Sequence, residues 1–83
     1  ELSQWQLNDE GVVISKRFTF NDFKSTMLFV NALAYIAEEQ GHHPDLQVGY
    51  GYCEVTFTTH AINGLSENDF ICAHKIEQLI KLS

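Results

Sequence analysis

One segment of helical period constrains the whole of this 83-residue chain, because the sequence changes its period on either side of it. Asn21 or Asp22 suits its N-cap. Phe23, Met27, Val30, Ala34 and Ala37 then form one apolar stripe, with Phe29, Leu33 and Ile36 on a neighbouring one. Gly41 suits the left-handed position that ends a helix. Pro44, the only proline, disfavours the helical region at His43 and extends the chain. Before this segment the period is two. Trp5 and Leu7 share a face of a short strand. A turn cluster follows, Asn8-Asp9-Glu10-Gly11, with Gly11 available for a positive backbone angle. From Val12 to Phe20, the residues Val12, Ile14, Phe18 and Phe20 share one face, interrupted by Lys16, and Ser15, Arg17 and Thr19 share the other. After the segment, Leu46, Val48 and Tyr50 alternate as a third strand, and Gly51-Tyr52 reads as a two-residue hairpin loop. Cys53, Val55 and Phe57 alternate with Glu54, Thr56 and Thr58 in a fourth. Ser66 and Asp69 match a capping box opening a last helix to about Leu82. Its buried side is Cys72, Ala73, Ile76, Leu79 and Ile80.

The predicted order is ββαββα in a single domain over residues 1–83. Its simplest architecture is an α+β two-layer sandwich, a four-stranded antiparallel sheet with both helices on one face. A domain of this size buries only roughly 60–65% of its unfolded surface, which makes a homo-oligomer plausible on size alone. The formal net charge is -6, and the 5 Lys and Arg residues are scattered. With no basic stripe to release counterions, nucleic acid and anionic membranes are excluded as partners of this surface. Cys53 and Cys72 fall inside predicted elements, at no spacing that suggests a metal site or a disulfide framework. They read as reduced, buried thiols of a cytoplasmic protein. No stretch reads as a membrane span or a signal peptide.

Three of the 4 histidines sit at the edges of predicted elements: His42 and His43 past the first helix, His60 at the end of the fourth strand. Histidine can give and take a proton near neutral pH. Adjacent residues of an extended segment point to opposite sides, so one of His42 and His43 would be catalytic and the other orienting. Glu38, one turn back on the helix from His42, is placed to hold a ring N–H and fix its tautomer. Two rival readings stand beside this. Three histidines resemble a metal site in composition, but adjacent ligands chelate poorly and no second ligand spacing supports one. In the plainest reading these are polar loop residues. His74, mid-helix among charged neighbours, is assigned no role.

The residues Glu38-x3-His42-His43-Pro44-x5-Tyr50-x9-His60-x8-Asp69, with Thr58-Thr59-His60 and Gly64-Leu65-Ser66 around them, resemble the signature of the pterin-4a-carbinolamine dehydratases. The similarity runs from Trp5 to the last helix. It implies the same ββαββα fold. It implies dehydration of 4a-hydroxytetrahydrobiopterin to quinonoid dihydropterin, a step in recycling the cofactor of aromatic amino acid hydroxylases, with no metal and no organic cofactor. It further implies catalytic roles for His42, His43 and His60, and a pterin site that includes Glu38, Pro44, Leu46, Thr59 and Asp69. Asp69 has an adequate structural role in its capping box. Members of the family form homodimers or homotetramers. Some also serve as dimerisation cofactors of a transcription factor, a protein-interaction role that is the alternative function here; another pterin-processing activity is a further one. The sequence departs from the family in two places. Only Glu1 to Gln4 stand where a family N-terminal helix is expected, and Leu46 stands where many members have an aromatic residue.

Overall fold

The computed structural model describes residues 5–8, 10–58 and 64–82, with side chains up to Ile80. The element order is β1 (Gln6–Leu7), β2 (Ile14–Thr19), α1 (Phe23–Gln40), β3 (Asp45–Gly49), β4 (Tyr52–Phe57) and α2 (Glu67–Leu82). The strands form one antiparallel sheet in the order β1-β2-β4-β3. Since β2 and β3 both run antiparallel to β4, they are parallel to each other, with α1 as the crossover and β4 between them. The fold expected from sequence is the fold observed.

Alternation along the two central strands decides which face is covered. Ile14 and Phe18 of β2 and Cys53, Val55 and Phe57 of β4 are buried, and they cluster with Phe29 and Leu33 of α1 and Cys72, Ala73 and Ile76 of α2. The other face carries Ser15, Arg17, Thr56 and Glu54, and there the Arg17 guanidinium lies 4.1 Å from the Tyr52 ring centroid and 3.3 Å from Glu54. Both cysteines are free and buried. Burial pushes both thiols up, and the Asp69 charge adds to the rise at Cys72.

Local signals hold where they depend on neighbouring residues. Gly11 has φ 71, and Asn8 Oδ1 accepts from the backbone N–H groups of Val12 and Val13 to close the β1–β2 turn. Asp22, rather than Asn21, caps α1, its side chain accepting from Ser25 N at 2.7 Å. That bond holds the Asp22 carboxyl below its ordinary value. Gly41, at φ 62, ends the helix, with its N–H directed to Ala37 and Glu38 carbonyls.

Several details differ from the sequence reading, among them Ile80, expected on the buried side of α2 but exposed. The hairpin loop is Tyr50-Gly51, one residue earlier than Gly51-Tyr52, because Gly49 pairs with Tyr52. Glycine is needed at 51 for a non-local reason: a Cβ there would meet the Phe20 carbonyl oxygen at 2.8 Å. The buried stripe of α1 is Thr26, Phe29, Leu33 and Ala37, while Phe23 and Ala34 face solvent. Thr26 is fully buried because its Oγ1 lies 2.9 Å from both the Asp22 and Tyr50 carbonyls, tying the start of α1 to the β3–β4 turn. Finally, Leu7 is exposed although Trp5 is buried, since β1 is an edge strand.

Lys16, the interruption in the apolar face of β2, points inward with its neighbours. Its ammonium pairs with Glu77 of α2 and sits 4.7 Å from the Phe18 ring centroid. Glu77 Oε2 also accepts from Trp5 Nε1 at 3.0 Å. One carboxylate thus joins β1, β2 and α2. Removing it leaves a mostly buried cation and an indole N–H without their acceptor. Glu77→Leu is therefore expected to cost about 3 kcal/mol, and Lys16→Met combined with it to recover much of that loss, as in other buried pairs replaced by apolar groups. Urea unfolding followed by circular dichroism and by Trp5 fluorescence checks this. A double variant no more stable than Glu77→Leu alone refutes it.

Candidate active site

The end of α1 delivers His42. After the left-handed turn at Gly41, His42 N–H returns to the Ala37 carbonyl at 3.0 Å. Its side chain then turns under the sheet, where the imidazole stacks on the Phe57 ring with centroids 5.6 Å apart and planes 8° from parallel. Its Nε2 lies 2.6 Å from Asp69 Oδ1.

Asp69 explains why that contact is directional. The residue is fully buried in the first turn of α2. Its Oδ2 accepts the backbone N–H of Ser66 at 2.8 Å, completing the capping box. The N-terminus of a helix favours negative charge and hydrogen-bond acceptors, so Asp69 is placed to accept. With Asp69 accepting, His42 Nε2 is the donor, and in the neutral ring Nδ1 carries the lone pair. Nδ1 has no partner among the described residues, and no buried side-chain nitrogen there lacks one.

His43 takes the opposite side. It is exposed, and its Nε2 lies 3.0 Å from Glu38 Oε1, itself mostly exposed. Glu38 thus pairs with His43, not with His42 as its helical spacing suggested. The two adjacent histidines diverge, as an extended segment requires, and each has its own carboxylate. The His43–Glu38 pair is open to water and its attraction is largely screened.

The remaining expected site residues divide three ways. Pro44 is half-buried and follows the histidines into β3. Leu46 pairs with Val55 across the sheet, half-buried and packed against the core, so it points to the helix side. Asp69 has no exposed surface to offer a ligand, and its Oδ1 is met by His42 Nε2. His60 and Thr59 lie outside the described residues. Among the described residues no group of three metal-ligating side chains converges. Phe57 was legible only as a core residue, and no sequence signal linked it to His42.

The sequence matches the family described as pterin 4 alpha carbinolamine dehydratase over residues 1–79. A Legionella pneumophila protein named provisionally for that dehydratase is 53% identical over 78 residues, covering 94% of this chain and 69% of its own. A Nitrosomonas eutropha protein of the same provisional name is 54% identical over 76 residues, covering 92% of this chain and 66% of its own. Among solved structures, the Brucella melitensis transcriptional coactivator/pterin dehydratase superposes with a TM-score of 0.85 at 35% identity, covering 90% of this chain and 80% of its own. A pterin dehydratase-like protein identified as a RuBisCO assembly factor in the alpha-carboxysome gives 0.79 at 27% identity, covering 92% and 88%. On the family match, the two relatives and the shared ββαββα fold, the chain belongs to the pterin-4-alpha-carbinolamine dehydratase family.

Proposed function

We propose that this chain is a hydro-lyase that removes water from 4a-hydroxytetrahydrobiopterin to give quinonoid dihydropterin, in tetrahydrobiopterin recycling in the cytoplasm. The observation that carries the reading is the 2.6 Å contact between His42 Nε2 and the buried Asp69. It leaves one imidazole nitrogen, Nδ1, to act as a proton acceptor.

In the reaction the C4a–O bond breaks and the hydroxyl leaves with one added proton as water. The N5–H electron pair forms the new C4a–N5 double bond, and the N5 proton goes to a base. Charge and atoms balance with one acid and one base and no redox step. His42 Nδ1 takes the N5 proton. His60 or His43 gives the proton to the leaving hydroxyl. Asp69 acts through His42, while Glu38 positions His43. Pro44, Leu46 and Thr59 border the pterin. Each acid or base is worth typically about 10²–10⁴-fold. His42→Ala and His60→Ala are each expected to lower the dehydration rate by about 10²-fold or more with the fold intact. Following loss of freshly generated carbinolamine by absorbance measures this, and folded variants with unchanged rates refute it.

The chemistry asks for no metal, and the two described histidines are held by different carboxylates and do not converge. Activity is expected to persist after exhaustive chelation. Loss on chelation, with recovery on adding zinc, would overturn the mechanism.

A homodimer or homotetramer is also proposed. Among the described residues, β3 is an edge strand with no strand on its outer side, beside half-exposed Val48 and exposed Tyr50, a kind of edge that proteins commonly pair or cover. Light scattering at micromolar concentration is expected to give at least a dimer; a monomer refutes it.

A second reading, an interaction module, has support in the exposed Leu28, Tyr35 and Ile80 on the helix layer. The names of the two similar structures point the same way, one a transcriptional coactivator and the other a RuBisCO assembly factor. A purified protein that leaves the carbinolamine rate unchanged would favour it.

A further inference from the structure

We infer that Phe57 fixes the plane of the His42 ring, and with it the direction of the Nδ1 lone pair, so that Phe57 is a positioning residue for the dehydration. This rests on the reading that His42 acts at the site.

The argument begins with what Asp69 leaves free. Its carboxylate holds Nε2, the ring atom far from the backbone, and Cβ holds the other end. A ring fastened at those two points can still roll about the line between them. The torsion involved joins an sp³ to an sp² carbon, and such torsions have broad, shallow minima. Rolling keeps the bond to Asp69 but swings Nδ1 through space. Proton transfer tolerates little of this, because the acceptor must lie along the N–H direction within hydrogen-bond reach.

Phe57 removes that freedom. Its ring lies within 8° of parallel to the imidazole in an offset stack, an arrangement that aromatic pairs prefer. Phe57 itself is 0% exposed, at the end of β4 opposite Ile14 of β2, with the Trp5 ring centroid 6.1 Å away. It cannot yield without moving the core. The same ring excludes water from one face of the imidazole, which strengthens the bond to Asp69. His42 is thus fixed by a carboxylate in its plane and an aromatic ring against its face. His43 has only an exposed carboxylate.

The experiment has two arms. Proton–nitrogen NMR of the ring resonances needs no substrate. In the wild type, His42 is expected to show a protonated Nε2, an unprotonated Nδ1, and ring protons displaced by the Phe57 ring current from those of exposed His43 and His74. In Phe57→Leu that displacement disappears while thermal melting shows a folded protein. In the kinetic arm, Phe57→Leu is expected to lower kcat about tenfold with KM within about twofold, the pattern of lost orientation rather than lost binding. Ile76→Val, a core change on α2, is the control for lost stability and should leave kcat within about twofold. His42 resonances like those of His43 and His74 in the wild type would overturn the proposal, as would equal effects of Phe57→Leu and Ile76→Val on kcat. Should the wild type show no dehydration at all, the functional reading fails, and the NMR arm alone decides whether Phe57 fixes the ring.

Discussion

A carboxylate taken out of water must be met by donors, or it costs several kcal/mol. Asp69 is met from two directions, by the Ser66 backbone N–H and by His42 Nε2. The first bond belongs to the start of α2 and the second to the end of α1. The chemistry of the candidate site and the packing of the two helices therefore share one charge. Asp69→Ala would lose the cap and free the histidine together, so its effect on rate says little about catalysis. Phe57 can be varied without removing either donor to Asp69, and is the cleaner probe.

The core is organised around a second buried carboxylate. Glu77 takes the Lys16 ammonium and the Trp5 indole N–H, and so fastens the edge strand β1 and the central strand β2 to α2. A small domain has little apolar surface to hold an edge strand of two residues. Here polar contacts supply what area cannot. They also account for a lysine among the inward positions of β2, which alternation alone leaves as an anomaly.

What could be read from the sequence was what depends on near neighbours. Strand alternation, the Asp22 and Gly41 ends of α1, the turn at Gly11 and the Ser66–Asp69 box all follow from local geometry, and all are present. The misreadings come from contacts between distant segments. Thr26 was not among the expected buried residues, yet it is buried with its hydroxyl 2.9 Å from the Tyr50 carbonyl. The hairpin turn sits one residue earlier because Gly49 pairs with Tyr52, and Gly51 is required because a Cβ there would meet the Phe20 carbonyl oxygen. Glu38 was assigned to His42 by helical spacing, yet His42 is taken by a carboxylate 27 residues on, leaving Glu38 to His43. The candidate histidines themselves were legible as residues. Their division into one held and one exposed was not, because it depends on where β4 and α2 come to rest.

The placement of β4 between β2 and β3 bears on the order of assembly. The β3–β4 hairpin closes through a short loop, whereas β2 must wait for the α1 crossover before its partner arrives. Distant strand pairings carry a larger loop-closure cost and form more slowly than local ones. Phe57 sits at the end of β4, opposite Ile14. A growing or partly folded chain can thus hold α1 with His42 at its end and still lack the ring beneath it. The stacked arrangement of His42 on Phe57 is thus complete only when both the helix end and β4 are in place.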